Sequence, residues 1–197
     1  GDDFGLRLPP ALAPVEVVVI CVREDDAVRR AAAELAEGLR RAGRRVHLDD
    51  RTDTGFGRRT VGWELKGVPV RVEVGPRDLA QGNAIVVTRH TRVKEAVALD
   101  GVVDAADRIC GRVGDELRAE ALAFRERRTA SVASLLEAVE AGSTGFARIP
   151  WRQVGEAGEL DLAAEALSVR CLQDADGRLA APGAPDDDLV AVVGRSY

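Results

Sequence analysis

The chain has 197 residues and no methionine at any position, position 1 included. It is therefore expected to be a piece of something longer rather than an unprocessed translation product. Cysteine is scarce: Cys21, Cys110 and Cys171 are widely separated, odd in number and form no close pair. That pattern argues against a disulfide scaffold or a thiolate zinc site and fits a reducing compartment. No apolar run approaches the roughly 18 residues that a membrane span needs, and no charged-then-apolar amino terminus reads as a secretory signal. Neither a spanning nor an exported protein is expected. Histidine occurs only twice, as His47 and His90, and neither has an evident nucleophile placed with it.

What is present is a large apolar fraction, 46%, enough for a sizeable core in one large or two small domains. Acidic residues outnumber basic ones, 33 to 28, for a net charge of −5. The distribution is uneven. Between Arg44 and Lys94 the chain carries eleven positive and six negative side chains, so this segment is +5 and the remainder −10. A basic region inside an acidic chain is expected where one surface meets a polyanion. It is also what a solvated surface looks like in a chain whose basic residues are all arginine except Lys66 and Lys94.

Residues 1–14, with Pro9, Pro10 and Pro14 close together, read as an extended connector. Val15 to Val22 is a nearly continuous β-branched run, the signature of a strand buried on both faces. Asp25 or Asp26 caps the following helix, with Ala32, Leu35, Ala36 and Leu39 on its apolar stripe and Gly43 past its end. Val46 and Leu48 alternate with polar neighbours in a second strand, which makes a strand, helix, strand unit with parallel strands. Phe56 to Leu65 reads as a shorter helix stopped by Gly67, and Val68 to Val74 as a strand with Arg71 and Glu73 on one face. Gly75 and Pro76 break that strand. Ala84 to Thr88 and Val93 to Leu99 form a hairpin around Arg89 to Arg92. Val102 to Arg128 turns helical, and a second helix runs from Ser131 to Glu140. In the tail, Phe146 to Trp151, Ser168 to Leu172 and Leu189 to Val193 read as strands and Glu159 to Leu167 as a helix, with no internal repeat anywhere.

The chemical groups are more informative in one place than elsewhere. Asp49, Asp50 and Asp53 could form a magnesium cluster at a strand end, but Arg51, Arg58 and Arg59 interleave with them and ion pairing is the better reading. The glycines lack a phosphate-loop lysine and a completed dinucleotide fingerprint. The densest constellation is Trp63-Glu64-Leu65-Lys66-Gly67-Val68-Pro69-Val70-Arg71-Val72-Glu73-Val74-Gly75-Pro76-Arg77-Asp78-Leu79. It sets carboxylates beside guanidiniums at a helix end, along a strand and in the turn after it. Such a mixture suits an unpaired guanine, whose Watson–Crick edge offers N–H donors to a carboxylate while O6 and N7 accept from a guanidinium. A lattice of surface salt bridges, each worth about 0–1 kcal/mol, accounts for the same spacing.

That block, the opening Gly1-Asp2-Asp3-Phe4-Gly5-Leu6-Arg7-Leu8-Pro9-Pro10-Ala11-Leu12-Ala13-Pro14, the Leu48-Asp49-Asp50-Arg51 strand end and the terminal Arg195-Ser196-Tyr197 together resemble the prolyl-tRNA synthetase family in its archaeal and eukaryote-like form. The resemblance implies a mixed five-stranded sheet with flanking helices, the class II anticodon-binding fold, plus a small α+β C-terminal domain. It divides the chain into a connector from a catalytic domain (1–14), an anticodon-binding domain (15–112), a helical connection (113–142) and a C-terminal domain (143–197). It further implies contact between the anticodon guanines of the proline tRNA and Glu64, Arg71, Arg77, Asp78 and Lys94. Arg77 replaces a family lysine, and the turn before Lys94 looks one residue longer than in relatives.

The three class II catalytic motifs would lie upstream, so no catalytic residue is expected here, and ATP and magnesium belong to the full-length parent, itself a homodimer through its catalytic domain. Four zinc-binding cysteines found in many relatives are not matched, so no metal is expected, and the tail should pack around Trp151, Leu162, Leu167 and Leu172. In the family the terminal tyrosine reaches toward the catalytic domain, the role Tyr197 would take. The expected partner is tRNA in the cytoplasm, with no DNA and no membrane. Two rivals stand beside this reading: a stand-alone paralogue acting as a protein-interaction or accessory module, and a small-molecule domain with a site near Asp49 to Asp53.

Overall fold

The computed structural model describes residues 1–51 and 53–195, which fall into two compact units, Gly1–Arg118 and Ala119–Tyr197. The terminal Tyr197, and with it any role for its carboxylate, lies outside the described residues.

In the first unit, strands β1 (Val17–Cys21), β2 (Val46–Asp49), β3 (Val70–Val74), β4 (Asn83–Thr88) and β5 (Lys94–Ala98) form one sheet in the order β2-β1-β3-β4-β5. The first three are parallel, and β4 and β5 are antiparallel additions, which makes the expected mixed five-stranded sheet. Every residue of β1 is buried, because helices cover it on both sides. Val17, Val19 and Cys21 join the main core with helices α1 (Asp26–Arg41) and α4 (Val102–Arg127), while Val18 and Ile20 pack with Trp63 of helix α2 (Phe56–Leu65) and with Val68. Asp25 caps α1, its side chain accepting from the Val28 N–H at 3.0 Å.

Strand register then decides where the charged residues go. Val18 is opposite Arg71, Arg71 opposite Val87, and Val87 opposite Lys94, so these four form a row across one face of the sheet. Val70, Val72 and Val74 occupy the other face, inside the main core. The segment after β3, which the sequence marks only as a break, is a short helix α3 (Pro76–Ala80), with Pro76 at its first position where the missing N–H is of no consequence. The opening fourteen residues are not merely extended. Asp2 and Gly5 bridge across a tight turn, and Pro10–Leu12 makes one turn of 3₁₀ helix.

In the second unit, β6 (Thr129–Ser131), β7 (Phe146–Pro150), β8 (Leu167–Gln173) and β9 (Val190–Arg195) form a four-stranded sheet ordered β6-β7-β9-β8, with β6 parallel to β7 and the other pairs antiparallel. Helices α5 (Leu135–Thr144) and α6 (Gly155–Ala164) pack on it. Leu162 and Leu167 are buried in this core, and Trp151 and Leu172 pack against it, as the tail reading requires. Two boundaries differ from expectation. The helix expected from Ser131 starts at Leu135, because Ser134 and Glu137 form a reciprocal capping box and release residues 129–131 to pair as β6. The helix expected over 159–167 runs from Gly155 to Ala164, and Ala166, at φ 57°, turns the chain so that Leu167 begins β8.

Candidate nucleic-acid interface

Glu64 sits near the C-terminal end of α2 and Arg71 in the middle of β3, seven residues apart. The turn through Gly67 folds them together. The Arg71 Nη1 donates to Glu64 Oε1 at 3.0 Å, and its Nε donates to Glu73 Oε1 at 2.8 Å. Glu73 is two residues along the same strand and therefore on the same face. Its second oxygen, Oε2, lies 3.8 Å from the Lys94 ammonium. Arg71 and Glu73 are almost wholly buried, Glu64 is 19% exposed and Lys94 60% exposed, so the cluster runs from a shielded centre to an open rim. Among the described residues, Glu64 Oε2 and Arg71 Nη2 make no hydrogen bond. Each member of the Glu64–Arg71 pair thus keeps one polar atom outside the hydrogen bonds that join it to the cluster, and Glu73 holds Arg71 from the same strand.

Of the five residues singled out from the sequence, Glu64, Arg71 and Lys94 converge here, with Glu73 as the link between the two cations. Arg77 and Asp78 sit on α3, just beyond the end of β3, and make no ion pair with that cluster among the described residues. Arg77 is exposed and Asp78 half-buried. The structure places them after the strand that carries Arg71 and Glu73, with no hydrogen bond or ion pair to the Glu64–Arg71 pair among the described residues.

Two supports hold this arrangement. The first is Asp49, at the end of β2 and fully buried. One of its oxygens accepts from Arg51 Nε at 3.0 Å and Arg59 Nη1 at 3.3 Å, and the other from Arg51 Nη2 at 2.7 Å and Trp63 Nε1 at 2.6 Å. Burial alone would raise the Asp49 pKa, but the hydrogen bonds from Arg51 and Trp63 and the charges of Arg51 and Arg59 outweigh it and hold the carboxyl well below the usual range. Arg59, itself buried, also donates to the carbonyls of Cys21, Thr54 and Asp49. This network pins α2, and hence Glu64, to the sheet, and both Asp49 oxygens are taken up, which removes Asp49 from any magnesium cluster. Among the described residues no group of three or more His, Cys, Asp or Glu side chains is arranged to hold a metal ion.

The second support was not legible from the sequence. Arg89, buried just past β4, donates through Nη2 and Nη1 to the two oxygens of Asp2 at 2.6 and 3.1 Å, and through Nε to the Glu64 carbonyl at 3.1 Å. Opposite-charge partners 87 residues apart carry no local signal; the opening Gly-Asp-Asp-Phe-Gly motif was the nearest hint. The hydrogen bond from Arg89 holds the Asp2 carboxyl well below its ordinary range. The remaining titratable candidates are structural. The His47 ring packs on Trp63 at 4.7 Å, His90 Nε2 lies 2.6 Å from Glu116, and burial raises the Cys21 thiol and pushes Cys110 up to about 11.

The cluster is charge-balanced, with Glu64 and Glu73 set against Arg71 and Lys94. Residues 16–109 match the family described as an anticodon binding domain. Over its whole length the chain is similar to part of proteins named proline–tRNA ligases. It is 53% identical over 197 residues to that of Frankia alni and 50% identical over 199 residues to proline–tRNA ligase 2 of Streptomyces avermitilis, each alignment covering all of this chain and 42% of the relative. It is also 38% identical over 177 residues to the enzyme of Thermococcus kodakarensis, covering 86% of this chain and 37% of that relative. The chain therefore spans less than half the length of the curated relatives it matches. In fold it superposes on a crystal structure of prolyl-tRNA synthetase from Cryptosporidium parvum complexed with L-proline and AMP, with a TM-score of 0.85, covering all of this chain and 44% of that one at 24% identity.

Proposed function

We propose that this chain is the tRNA-selecting part of a prolyl-tRNA synthetase and that it reads guanines of the proline anticodon. The observation that carries the reading is the hydrogen-bonded Glu64–Arg71 pair, which leaves one carboxylate oxygen and one guanidinium nitrogen uncommitted. Along the Watson–Crick edge of guanine the O6 acceptor adjoins the N1–H and N2–H donors, so this pair is complementary in polarity to that edge. Adenine presents the reverse pattern. Lys94, Arg77 and Asp78 supply further contacts to neighbouring base or phosphate groups, and the surrounding arginines neutralise the backbone.

The parent protein would join proline to its tRNA with ATP and magnesium in a class II catalytic domain, act in the cytoplasm and dimerise through that domain; none of the residues described here is assigned to those tasks. Among the described residues no helix is long and apolar enough to cross a membrane.

The test is binding of the proline anticodon stem-loop and of a stem-loop with its anticodon guanines replaced, each titrated at several salt concentrations. Glu64→Ala should weaken the first by about 1–3 kcal/mol and the second hardly at all. Affinity for both should fall as salt rises. Equal losses on the two RNAs, or a guanine-bearing loop bound no better than the other by the unaltered chain, would refute base reading.

A further inference from the structure

We infer that residues 1–7, which precede the start of the anticodon-binding-domain match at residue 16, form a strap that positions Glu64 for guanine reading, with Asp2 and Arg89 as its positioning residues. The inference rests on the guanine-reading role proposed above for Glu64.

Three independent contacts seat the strap on the turn between α2 and β3. Asp2 and Arg89 form a two-pronged ion pair, and the third N–H direction of the same guanidinium is spent on the Glu64 carbonyl, so the charge pair and the backbone that bears Glu64 are joined through one rigid plane. The Leu6 N–H donates to the Leu65 carbonyl at 3.2 Å. Gly5, at φ +123°, lies so close that a Cβ would come within 2.4 Å of Leu65 Cα, and a Cβ on Gly67, at φ +70°, would meet Leu6 at 2.7 Å. The backbones therefore touch without side chains between them. A fourth contact closes the far side, where the Arg92 guanidinium stacks 3.9 Å above the Phe4 ring.

The Glu64 carbonyl is the last stretch of α2 before the chain turns, and it also accepts from the Gly67 N–H at 2.9 Å. Helix ends fray, and a carboxylate on a frayed turn cannot hold an oxygen in register with Arg71. Arg89 removes that freedom, but a buried guanidinium needs a counter-charge, and among the described residues Asp2 is its carboxylate partner. Losing Asp2 therefore loosens Glu64 without touching any group that meets RNA.

The experiment uses the full chain with Asp2→Asn, which keeps the shape and removes the charge, and with Gly5→Ala, which lifts the strap by steric contact instead. Two readouts are taken: amide hydrogen exchange at residues 64–67 in the free protein, and the ratio of affinities for the guanine-bearing and guanine-replaced stem-loops. Both variants should speed exchange in that segment and lower the ratio about tenfold, with affinity for the guanine-replaced loop unchanged. Unchanged exchange at 64–67, a ratio that survives either substitution, or equal losses on the two RNAs would each overturn the strap's role. A unaltered chain that shows no guanine preference sinks the proposed function itself, a result distinct from a preference that persists when the strap is lifted.

Discussion

Replacing Asp49 by alanine probes the support on which the whole site stands. The Asp49 side chain is fully buried and accepts four hydrogen bonds from three residues. Their losses are unequal. Arg51 is 55% exposed and regains water, so its share is about 0–1 kcal/mol. Arg59 is 2% exposed and keeps three carbonyl acceptors, but it is left as a buried charge without its counter-ion, and breaking such a pair from one side costs about 3–5 kcal/mol. The buried Trp63 N–H, left without an acceptor, adds about 1 kcal/mol or more. Allowing for the retained carbonyl bonds, the expected loss is about 3–5 kcal/mol, or about 10–20 °C in Tm for a unit of this size. Urea unfolding followed by Trp63 fluorescence, in a Trp151→Phe background so that one unit reports, measures it. Removing both charges, with Asp49→Ala and Arg59→Met together, should recover part of the loss, because no unpaired buried charge then remains. A single-variant loss below about 1 kcal/mol, or strict additivity in the double variant, would show that the network does not hold α2 in place.

The acid limb of stability follows from the same residues. Asp49 and Asp2 have carboxyls held below their ordinary range, so near and below that range the unfolded chain binds more protons than the folded one. Their contribution is complete above the ordinary aspartate value of about 4 and is lost as pH falls below it toward the depressed folded values. The urea midpoint should therefore be flat from neutrality to about pH 5 and fall below that, with a shallower fall in Asp49→Ala; a midpoint that rose on acidification would contradict the sign. In the second unit, Ser134→Ala should cost about 1 kcal/mol, since it removes the Ser134 side-chain acceptor at 3.3 Å from the Glu137 N–H and breaks the capping box at the start of α5. Differential scanning calorimetry reads that loss in the transition of the second unit, and an unchanged transition would remove the cap from the account of where α5 begins.

Much of this was written locally. The β-branched run around Val17–Cys21, the helix from Phe56 to Leu65 and the alternation that sets Arg71 and Glu73 on one face are short-range patterns, and each appears where the sequence put it. Boundaries slipped where two signals competed. Ser131 and Ser134 are both plausible caps, and only the acid three residues after Ser134 completes a box. Pro76 breaks a strand and equally well starts a helix. Among the five candidate site residues, the pairing of Glu64 with Arg71 could be anticipated from a helix, turn and strand of known lengths. Glu73 was visible as a neighbour but not as the link to Lys94, since that link depends on the order β3-β4-β5.

Amino-acid order alone thus determined most of the elements, the parallel pairing of the first two strands and the set of charged residue types on the chain, because propensity, capping and alternation act over a few residues, while the mixed five-stranded sheet was legible only through the family resemblance. The tertiary structure decided which charges neutralise one another: Asp49 with Arg59 across ten residues, Glu73 with Lys94 across two strand spacings, and Asp2 with Arg89 across 87. Electrostatic partners are chosen by distance and burial in three dimensions, and a linear pattern of carboxylates and guanidiniums does not specify which of the many possible pairs folding will bring within hydrogen-bond reach.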